Sequence, residues 1–373
     1  PLLEVADIAS LAKIAKKHNI KLVVDNTFSP LSVAPGKLGA DIVIHSLTKY
    51  INGSSDTVGG VVCASQEFIN SLKNVNDGAW QKPVIKPYEP FMIDPSAKVF
   101  HYGQAIFEGM KAYKDTHDDV WLFRPDENFH RFNKSASRMA MPEVPEDVFM
   151  GGLHKLLEIE KDWVKKGNGN TLYIRPFMIA TGHGVIAAPS SEYRFMIILS
   201  PARAYYSGEV KVIIAEHFSR AANGGIGAAK AAGNYSAQFY PTKLANEKGF
   251  QQIIWTDDAT HTKLEEAGTM NVFFRINDTL FTAPTSERIL DGVTRKTLID
   301  LAKREGINVE VRSVLVDELV EAAKNGSLKE IFGAGTAAVI SPIAGFSYKD
   351  HYYELPKLEN SVAADLKLKL TNI

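Results

Sequence analysis

The sequence predicts a mixed α/β and α+β protein, with a parallel α/β fragment at its N-terminus. Apolar residues at helical spacing near 8–15 are followed by short apolar runs at 21–25, 41–46 and 59–63, and a further helix is expected at 68–72. Buried parallel strands have this continuous apolar character, and their alternation with helices is typical of a parallel layer. Further strand-like runs lie at residues 171–176, 195–199, 210–214 and 253–256. The 373 residues are enough for two or three domains, which we place at residues 1–79, 80–203 and 204–373.

The composition is that of an ordinary globular protein and excludes two classes of partner. Hydrophobic residues make up 45% of the chain and charged residues 23%, and the formal net charge is −1. Without an excess of positive charge there is no electrostatic basis for binding nucleic acid or an anionic membrane surface. We see no apolar run of membrane-spanning length and no signal peptide, so we predict a cytoplasmic protein. Cys63 is the one cysteine, which excludes an intramolecular disulfide, and we expect no metal site.

One lysine has unusual surroundings in the sequence. Lys230 lies among alanines and glycines in residues 226–235, a stretch that contains no carboxylate. Small side chains allow another part of the protein to approach the amine and leave it poorly solvated. A desolvated lysine has a lowered pKa and can act as a nucleophile or form a Schiff base. The same pattern also suits a surface lysine in a turn, so this stretch alone does not decide between the two.

A second motif, downstream, favours a reactive role for Lys230 over a surface position. The stretches AKAAGNY at 229–235 and EEAGTMNVFF at 265–274 resemble those of the branched-chain amino acid aminotransferases. These are pyridoxal phosphate (PLP) enzymes of fold type IV, the two-domain D-amino acid aminotransferase-like fold. The resemblance runs from about Trp80 to the end of the chain. It implies transamination of leucine, isoleucine and valine with 2-oxoglutarate, as in branched-chain amino acid biosynthesis, giving branched 2-oxo acids and L-glutamate, by a homodimer or a higher homo-oligomer.

The resemblance assigns four residues to the reactive end of the cofactor. Lys230 would carry PLP as a Schiff base and would move the substrate Cα proton as a general base and then acid. Glu266 would pair with the pyridine nitrogen and keep it protonated, which makes the ring an electron sink. Tyr235 would donate to the phenolate oxygen, and Thr269 would support the pyridine end of the ring.

The resemblance also assigns the phosphate end. Arg131 would clamp the phosphate, a role that suits a planar and permanently charged guanidinium. The GVTR stretch at 292–295 would form a cradle, since a glycine before a helix leaves free backbone N–H groups aimed at an anion. Val293 and Thr294 would supply those groups, and Thr336 would add a further phosphate contact.

The substrate pocket is assigned on a strand and by resemblance. Tyr173 and Arg175 are two residues apart on a predicted strand, so their side chains project to the same side. Arg175 would receive the distal carboxylate of glutamate and would pair elsewhere when the side chain is neutral. The other assignments are Tyr102 and Phe107 for the apolar side chain, Tyr205 near the substrate, and Thr336 and Ala337 for the α-carboxylate.

The first 79 residues resemble part of a different family. VVDNTFSP at 23–30 and IHSLTKY at 44–50 are similar to motifs of the Cys/Met-metabolism PLP enzymes, the cystathionine and methionine lyase group. By that resemblance Lys49 would hold PLP, Asp25 would pair with its pyridine nitrogen, and Ser46 and Thr48 would contact its phosphate. The upstream phosphate-binding turn and the C-terminal domain of that family have no counterpart here. We therefore interpret the segment as a partial, vestigial copy fused to the aminotransferase.

Other functions stay open from the sequence alone. A different fold type IV enzyme, such as a D-amino acid aminotransferase or an aminodeoxychorismate lyase, would share the cofactor motifs. Two further alternatives are an enzyme that cleaves C–S bonds at Lys49 and a fusion protein without activity. The EEAGTMN stretch and the pair of Tyr173 and Arg175 favour the branched-chain reaction. The N-terminal strands that close the pocket in the family are replaced by residues before Trp80, and Ala338 and Ser341 stand where some members carry a redox pair of cysteines.

Overall fold

A computed structural model describes most of the chain. The described residues are 6–26, 33–46, 60–65, 84–85, 90–167, 169–202, 210–337 and 339–371. The chain divides into two compact units, Pro1–Gln81 and Lys82–Ile373. The helix expected at 68–72 lies outside the described residues. None of the helices in the described ranges is long and apolar enough to cross a membrane.

The first unit contains one α-helix and a small sheet of mixed direction. Its elements are α1 (Ile8–Lys17), β1 (Val23–Asp25), a 3₁₀ helix (Pro35–Leu38), β2 (Ile42–Ser46) and β3 (Gly60–Ala64). β1 and β2 are parallel as predicted, but β3 is antiparallel to β2. A parallel pair needs a long crossover that usually contains a helix. The sequence Asn-Gly-Ser-Ser-Asp at 52–56 favours a turn between β2 and β3. The antiparallel pairing of β3 shows that the prediction of a wholly parallel layer is wrong.

The second unit begins with a small lobe built on a five-stranded antiparallel sheet. Its strands run in the order β4-β7-β5-β6, and β8 pairs with β7. Two helices, which bring Phe132 and Phe149 into contact with Phe195 of the sheet, complete the core; neighbouring ring centroids lie 5.4–5.5 Å apart. The elements are α2 (Lys98–Tyr102), β4 (Ala105–Phe107), β5 (Met110–Lys114), β6 (Val120–Leu122), α3 (Pro125–Arg138), α4 (Glu146–Glu160), a 3₁₀ helix (Lys161–Trp163), β7 (Thr171–Ala180) and β8 (Tyr193–Ala202).

The large lobe follows and is built on a ten-stranded mixed sheet. The strands run in the order β14-β13-β12-β16-β17-β9-β10-β11-β15, with β18 on β17. The elements are β9 (Val210–Ile214), α5 (Gly233–Ser236), α6 (Phe239–Glu247), β10 (Gln252–Thr256), β11 (Lys263–Ala267), β12 (Met270–Ile276), β13 (Thr279–Thr282), α7 (Val293–Arg304), β14 (Asn308–Val311), β15 (Val314–Leu315), α8 (Val316–Lys324), β16 (Leu328–Gly335), β17 (Val339–Tyr348), β18 (His351–Glu354) and α9 (Val362–Thr371).

Part of this sheet closes on itself. β11 pairs with β12 as well as with β10, which joins β12, β16, β17, β9, β10 and β11 into a ring. Successive residues of a strand face opposite sides, and β12 shows the result. Phe274 belongs to the apolar cluster of Val212, Ile254 and Phe346, whereas Phe273 packs with residues of α7 and α9 on the other side. Strands with two buried faces hold the loops between them in fixed positions.

Candidate active site

The backbone of Lys230 is fixed by the small lobe. Its N–H donates to the Ser135 hydroxyl at 3.0 Å, and its carbonyl accepts the Phe107 N–H at 3.1 Å. Ile106 of β4 forms an antiparallel bridge with Ala231. Ala231 is 0% exposed, so a larger side chain would separate the strand from the lysine segment. The alanines beside Lys230 therefore allow β4 and α3 to hold its main chain.

The amine of Lys230 lies against two aromatic rings. Nζ donates to the Tyr235 hydroxyl at 2.8 Å and lies 5.0 Å from the centroid of the Phe107 ring. The two rings are in contact, with centroids 4.8 Å apart. Ring faces attract a cation, and the hydroxyl adds a directional bond. The structure therefore brings together both polar residues that the AKAAGNY motif predicted.

The predicted substrate residues Tyr173 and Arg175 lie beside the same phenylalanine. The Arg175 guanidinium carbon is 4.5 Å from the centroid of the Phe107 ring, and Nη2 donates to the Tyr173 hydroxyl at 2.7 Å. Arg175 Nε is buried without a hydrogen-bond partner. A Cβ atom at Gly109 would lie 2.3 Å from the Tyr173 hydroxyl, so the glycine makes room for that side chain. The cationic groups of Lys230 and Arg175 therefore both lie against the Phe107 ring, and the Nε–H of Arg175 has no acceptor among the described residues.

Glu266 is buried and held by three donors. It is 4% exposed. Oε1 accepts from Asn271 Nδ2 at 3.0 Å and from the Leu290 N–H at 3.1 Å, and Oε2 lies 2.7 Å from Arg220 Nη2. Burial raises the pKa of Glu266, while the Arg220 charge, the Leu290 N–H and the Lys230 charge counter that rise. The carboxylate is therefore fixed in orientation on the closed part of the sheet.

Thr269 occupies the hairpin turn between β11 and β12 and is exposed. It lines a cavity of about 600 Å³ together with Tyr235 and Gln238. The preceding residue, Gly268, has φ of +56°, a left-handed conformation that favours glycine. A Cβ atom there would also lie 1.8 Å from Gln252 Oε1. The turn therefore depends on glycine to place Thr269 at this cavity.

Arg131 and the predicted GVTR cradle meet at the start of α7. Arg131 Nη1 donates to the Asp291 carbonyl at 2.9 Å, immediately before Gly292. A Cβ atom at Gly292 would lie 1.9 Å from Asn271 Oδ1, so only glycine fits. The helix begins at Val293, and the N–H groups of its first turn have no intrahelical acceptor. Arg131 and an N–H-rich helix start are thus adjacent, as an anion site requires.

Arg131 is itself held by a buried carboxylate. Its Nε and Nη2 donate to Glu108 Oε1 and Oε2 at 2.7 and 2.8 Å. Glu108 is 0% exposed and also accepts from Asn128 Nδ2 at 2.8 Å. Burial opposes the charge of Glu108, yet Arg131 and Asn128 outweigh it and lower its pKa. Together with the bond from Nη1 to the Asp291 carbonyl, these bonds engage three of the five guanidinium N–H groups. Two donors are left for an anion.

The Thr336–Ala337 turn is tied to the small lobe by Lys111. Nζ of Lys111 donates to the Ala337 carbonyl at 2.6 Å. Lys111 stands opposite Tyr173 in the antiparallel pair of β5 and β7, so both side chains share one face of the sheet. Lys111 is only 7% exposed, and burial, with help from Lys367, lowers its pKa to about 8. The turn therefore lies beside the face that carries Tyr173.

The remaining predicted residues are not brought to Lys230 by any described contact. Tyr102 is 42% exposed and its hydroxyl contacts the Val185 carbonyl. Tyr205 lies outside the described residues. In the first unit Asp25 ends β1 and is exposed, and Ser46 ends β2. Thr48 and Lys49 lie outside the described residues.

Sequence reasoning missed five residues of this site. Each is a polar or charged residue placed within an apolar stretch or far from the lysine, and that placement is the signal that could have found them. They are Glu108, Lys111, Ser135, Arg220 and Asn271.

Comparison with known proteins agrees with both resemblances. The family model for class IV aminotransferases matches residues 105–346, and the model for Cys/Met-metabolism PLP-dependent enzymes matches residues 1–93. A probable branched-chain-amino-acid aminotransferase of Staphylococcus epidermidis is 47% identical over 289 residues, which is 76% of this chain and 80% of that protein.

Solved structures show the same architecture in the second unit. The branched-chain amino acid aminotransferase from Escherichia coli superposes with a TM-score of 0.63 at 25% identity, covering 76% of this chain and 88% of that one. The enzyme from Thermobaculum terrenum in its PLP form also gives 0.63, at 21% identity, covering 75% and 88%. The predicted fold type IV architecture is confirmed. Since the family model spans more than half of the chain and the relatives are close, this chain belongs to the class IV aminotransferases, among the branched-chain-amino-acid aminotransferases.

Proposed function

We propose that this chain is a PLP-dependent transaminase that exchanges the amino group between L-leucine, L-isoleucine or L-valine and 2-oxoglutarate. The products are branched 2-oxo acids and L-glutamate. The observation that carries the proposal is the position of Lys230, whose amine shares the Phe107 ring with the Arg175 guanidinium. An amine able to move a proton and a cation able to bind a carboxylate are thus next to each other.

The residues present fit PLP. The cofactor needs an amine, an anion site for its phosphate and a carboxylate for its ring nitrogen. Arg131 and the turn at Gly292 offer the anion site, and Glu266 offers the carboxylate. Glu266 accepts the N–H of Leu290, two residues before Gly292. One short segment therefore connects the ring end of the site to the phosphate end, which supports a single ligand that spans both.

We assign the proton transfer to Lys230. When bound, PLP supplies an electron sink for negative charge at the substrate Cα. Lys230 Nζ would remove the substrate Cα proton and pass it to the cofactor carbon that is bonded to the substrate nitrogen, and the hydrogen bond to Tyr235 at 2.8 Å orients the amine. Glu266 would pair its negative charge with the ring nitrogen. Arg131 and the N–H groups of the first turn of α7 would bind the phosphate. The Lys230 N–H donates to Ser135 and the Lys230 carbonyl accepts from Phe107, and these two hydrogen bonds fix the lysine main chain during these steps.

One pocket can serve both kinds of substrate. A branched side chain would lie against the Phe107 ring, whose apolar face needs no hydrogen bond. The distal carboxylate of glutamate would take the buried, unpartnered Nε of Arg175. The α-carboxylate would bind the N–H groups of Thr336 and Ala337, in the turn that Lys111 holds.

A half-reaction tests the proposed function. The purified protein, loaded with PLP and freed of the excess, should convert to the pyridoxamine form when L-leucine is added, and 2-oxoglutarate should reverse the change. Absorbance reads both steps. D-Alanine at the same concentration is the control. Conversion by D-alanine but not by L-leucine would contradict the proposal and favour a different fold type IV enzyme.

The same measurement separates the two substrates in a variant. Arg175→Ala should slow the glutamate half-reaction more than the leucine half-reaction, because only glutamate carries a distal carboxylate. Single-turnover rates with each amino acid read the difference. Equal losses would mean that Arg175 holds the pocket together without binding substrate.

We also propose that the chain works as a homodimer or a higher homo-oligomer. Large apolar side chains stay exposed in the second unit, and covering them would stabilise an assembly. Among the described residues they include Phe100, Val185, Ile186, Phe239 and Tyr240, which are 61–75% exposed. Light scattering after size-exclusion chromatography should give at least twice the chain mass. The cytoplasmic location stays a prediction from the sequence.

The first 79 residues have a different status in this proposal. We propose that they form a partial PLP-enzyme fragment without chemistry of its own, followed by a small domain to residue 203 and a large domain after it. The exposed position of Asp25 supports this, since a partner for a ring nitrogen is normally buried with it.

A further inference from the structure

The acceptor geometry of Glu266 requires an ionised carboxylate. Both oxygens face donors only: the Asn271 amide, the Leu290 N–H and the Arg220 guanidinium. A protonated carboxyl group would place its own hydrogen against one of these donors. Arg220 is the charged member of the three, and its side chain is as deeply buried as that of its partner, at 8% and 5% exposed.

The same guanidinium nitrogen ties together the segments around the site. Arg220 Nη2 donates to the Gly227 carbonyl at 3.1 Å and to the Arg288 carbonyl. Gly227 lies three residues before Lys230, and Arg288 lies four residues before Gly292. A Cβ atom at Gly227 would lie 2.6 Å from the Arg288 carbonyl oxygen. The two segments therefore approach closely at the point where Arg220 enters.

We propose that Arg220 is the positioning residue that keeps Glu266 ionised and aimed at the ring nitrogen of the cofactor. The inference rests on the proposed function, because Glu266 has this role only if PLP binds here. In this role Arg220 acts through Glu266, to which it is directly paired. Lys230, Arg295 and Glu265 are the other charged groups that act on Glu266 or on which it acts.

The neighbouring carboxylate provides a matched control. Glu265 precedes Glu266 on β11 and is 5% exposed. Arg288 Nε donates to Glu265 Oε1 at 2.6 Å, and the Arg288 side chain is 19% exposed. Arg288→Met therefore leaves a buried carboxylate without its arginine next to the site. It removes a comparable ion pair but leaves the partners of Glu266 in place.

The test follows PLP release from the holoenzyme between pH 5 and pH 9. Wild type, Arg220→Met, Arg220→Lys, Arg288→Met and Glu266→Gln are compared by absorbance after dilution, with thermal midpoints as a check of folding. Without Arg220, Glu266 takes up a proton at higher pH and its attraction for the ring nitrogen is lost. We expect Arg220→Met to release PLP at least about tenfold faster at pH 6 than at pH 8, relative to Arg288→Met at each pH. Glu266→Gln should release PLP quickly without this added pH dependence.

The conservative variant and the double variant complete the test. Arg220→Lys keeps a charge and should restore part of the wild-type profile. Arg220→Met combined with Glu266→Gln should not show the added acceleration of PLP release at low pH, because no carboxylate is left at position 266 to take up a proton. If Arg220→Met does not fold, Arg220→Gln, which keeps hydrogen-bond donors but loses the charge, takes its place. A release profile of the neutral variant equal to that of Arg288→Met would overturn the proposal. Wild-type protein that binds no PLP at all would overturn the proposed function, and the inference with it.

Discussion

Lys49 and Lys230 both stand in PLP-type motifs, but the two units around them differ. In the described part of the first unit, a three-stranded sheet accompanies five buried apolar side chains, Ala12, Ala15, Pro35, Ile42 and Val43. In the second unit, Ser135 of α3 and Phe107 of the five-stranded sheet hold the main chain of Lys230, and Tyr235 of α5 holds its amine. A short motif identifies a family, whereas a working cofactor site also needs a framework that fixes every group at once.

The largest expected effect separates the two lysines by activity. Lys230→Ala should lower the leucine and 2-oxoglutarate reaction by on the order of 10²–10⁴ or more, because the proton-transferring amine is removed. Lys49→Ala should leave the rate unchanged. Initial rates at saturating substrate, with circular dichroism to confirm folding, measure both. A large loss with Lys49→Ala would mean that the first unit takes part in the reaction.

A smaller loss is expected at the phosphate end of the second unit. Arg131→Ala should weaken PLP retention by roughly 10- to 100-fold, since a charge-assisted bond contributes about 1.5–3 kcal/mol. Substrate binding to the cofactor that remains should change less. Equilibrium dialysis measures retention. Arg138→Ala is the matched control on the same helix, because its guanidinium is exposed and contacts the carbonyls of Gly224 and Gly225. Equal retention in both variants would contradict the assignment of Arg131.

Lys111 shows that the framework of the second unit also carries a destabilising charge. Its pKa falls from 10.5 to about 8 on folding, which corresponds to about 3 kcal/mol. Below pH 8 Lys111 is charged in the folded protein, and the full destabilisation from burying the ammonium is present. Between pH 8 and pH 10.5 that cost fades as the folded protein releases the proton first.

Replacing Lys111 should therefore stabilise the fold. Lys111→Met should gain roughly 2 kcal/mol at pH 7, after about 1 kcal/mol is lost with the bond to Ala337. The gain should shrink as the pH rises toward 10.5. Denaturant unfolding at several pH values measures the gain. Lys367→Met removes a repulsive charge, so it should raise the Lys111 pKa and move the pH at which the gain begins to shrink upward. A gap between Lys111→Met and wild type that stays constant with pH would contradict this account.

The smallest effect is expected from removing the first unit. A chain lacking residues 1–79 should bind PLP as tightly as the full chain, because the predicted cofactor residues of the second unit all follow Trp80. Fluorescence titration of the apoprotein with PLP measures the affinity. A truncated protein that folds but does not bind PLP would mean that the domain division at residue 79 is wrong.

Local sequence predicted the parts of the site that lie within one short stretch. Lys230 and Tyr235 are five residues apart, and Gly292 directly precedes its helix. Contacts between distant segments were not predictable. Ser135 bonds to Lys230 across 95 residues, and no periodicity pairs such positions. Strand direction was also missed at β3, because an apolar run records burial but not which way its neighbour runs.

The central claim is that the cofactor is held by Lys230 and not by Lys49. Borohydride reduction of the PLP-loaded protein fixes the cofactor covalently on the lysine that holds it, and peptide mapping by mass spectrometry identifies that lysine. Our account predicts the label on the peptide that contains Lys230, where Tyr235, Glu266 and Arg131 support a single bound orientation. Label found mainly on the peptide that contains Lys49 would contradict it.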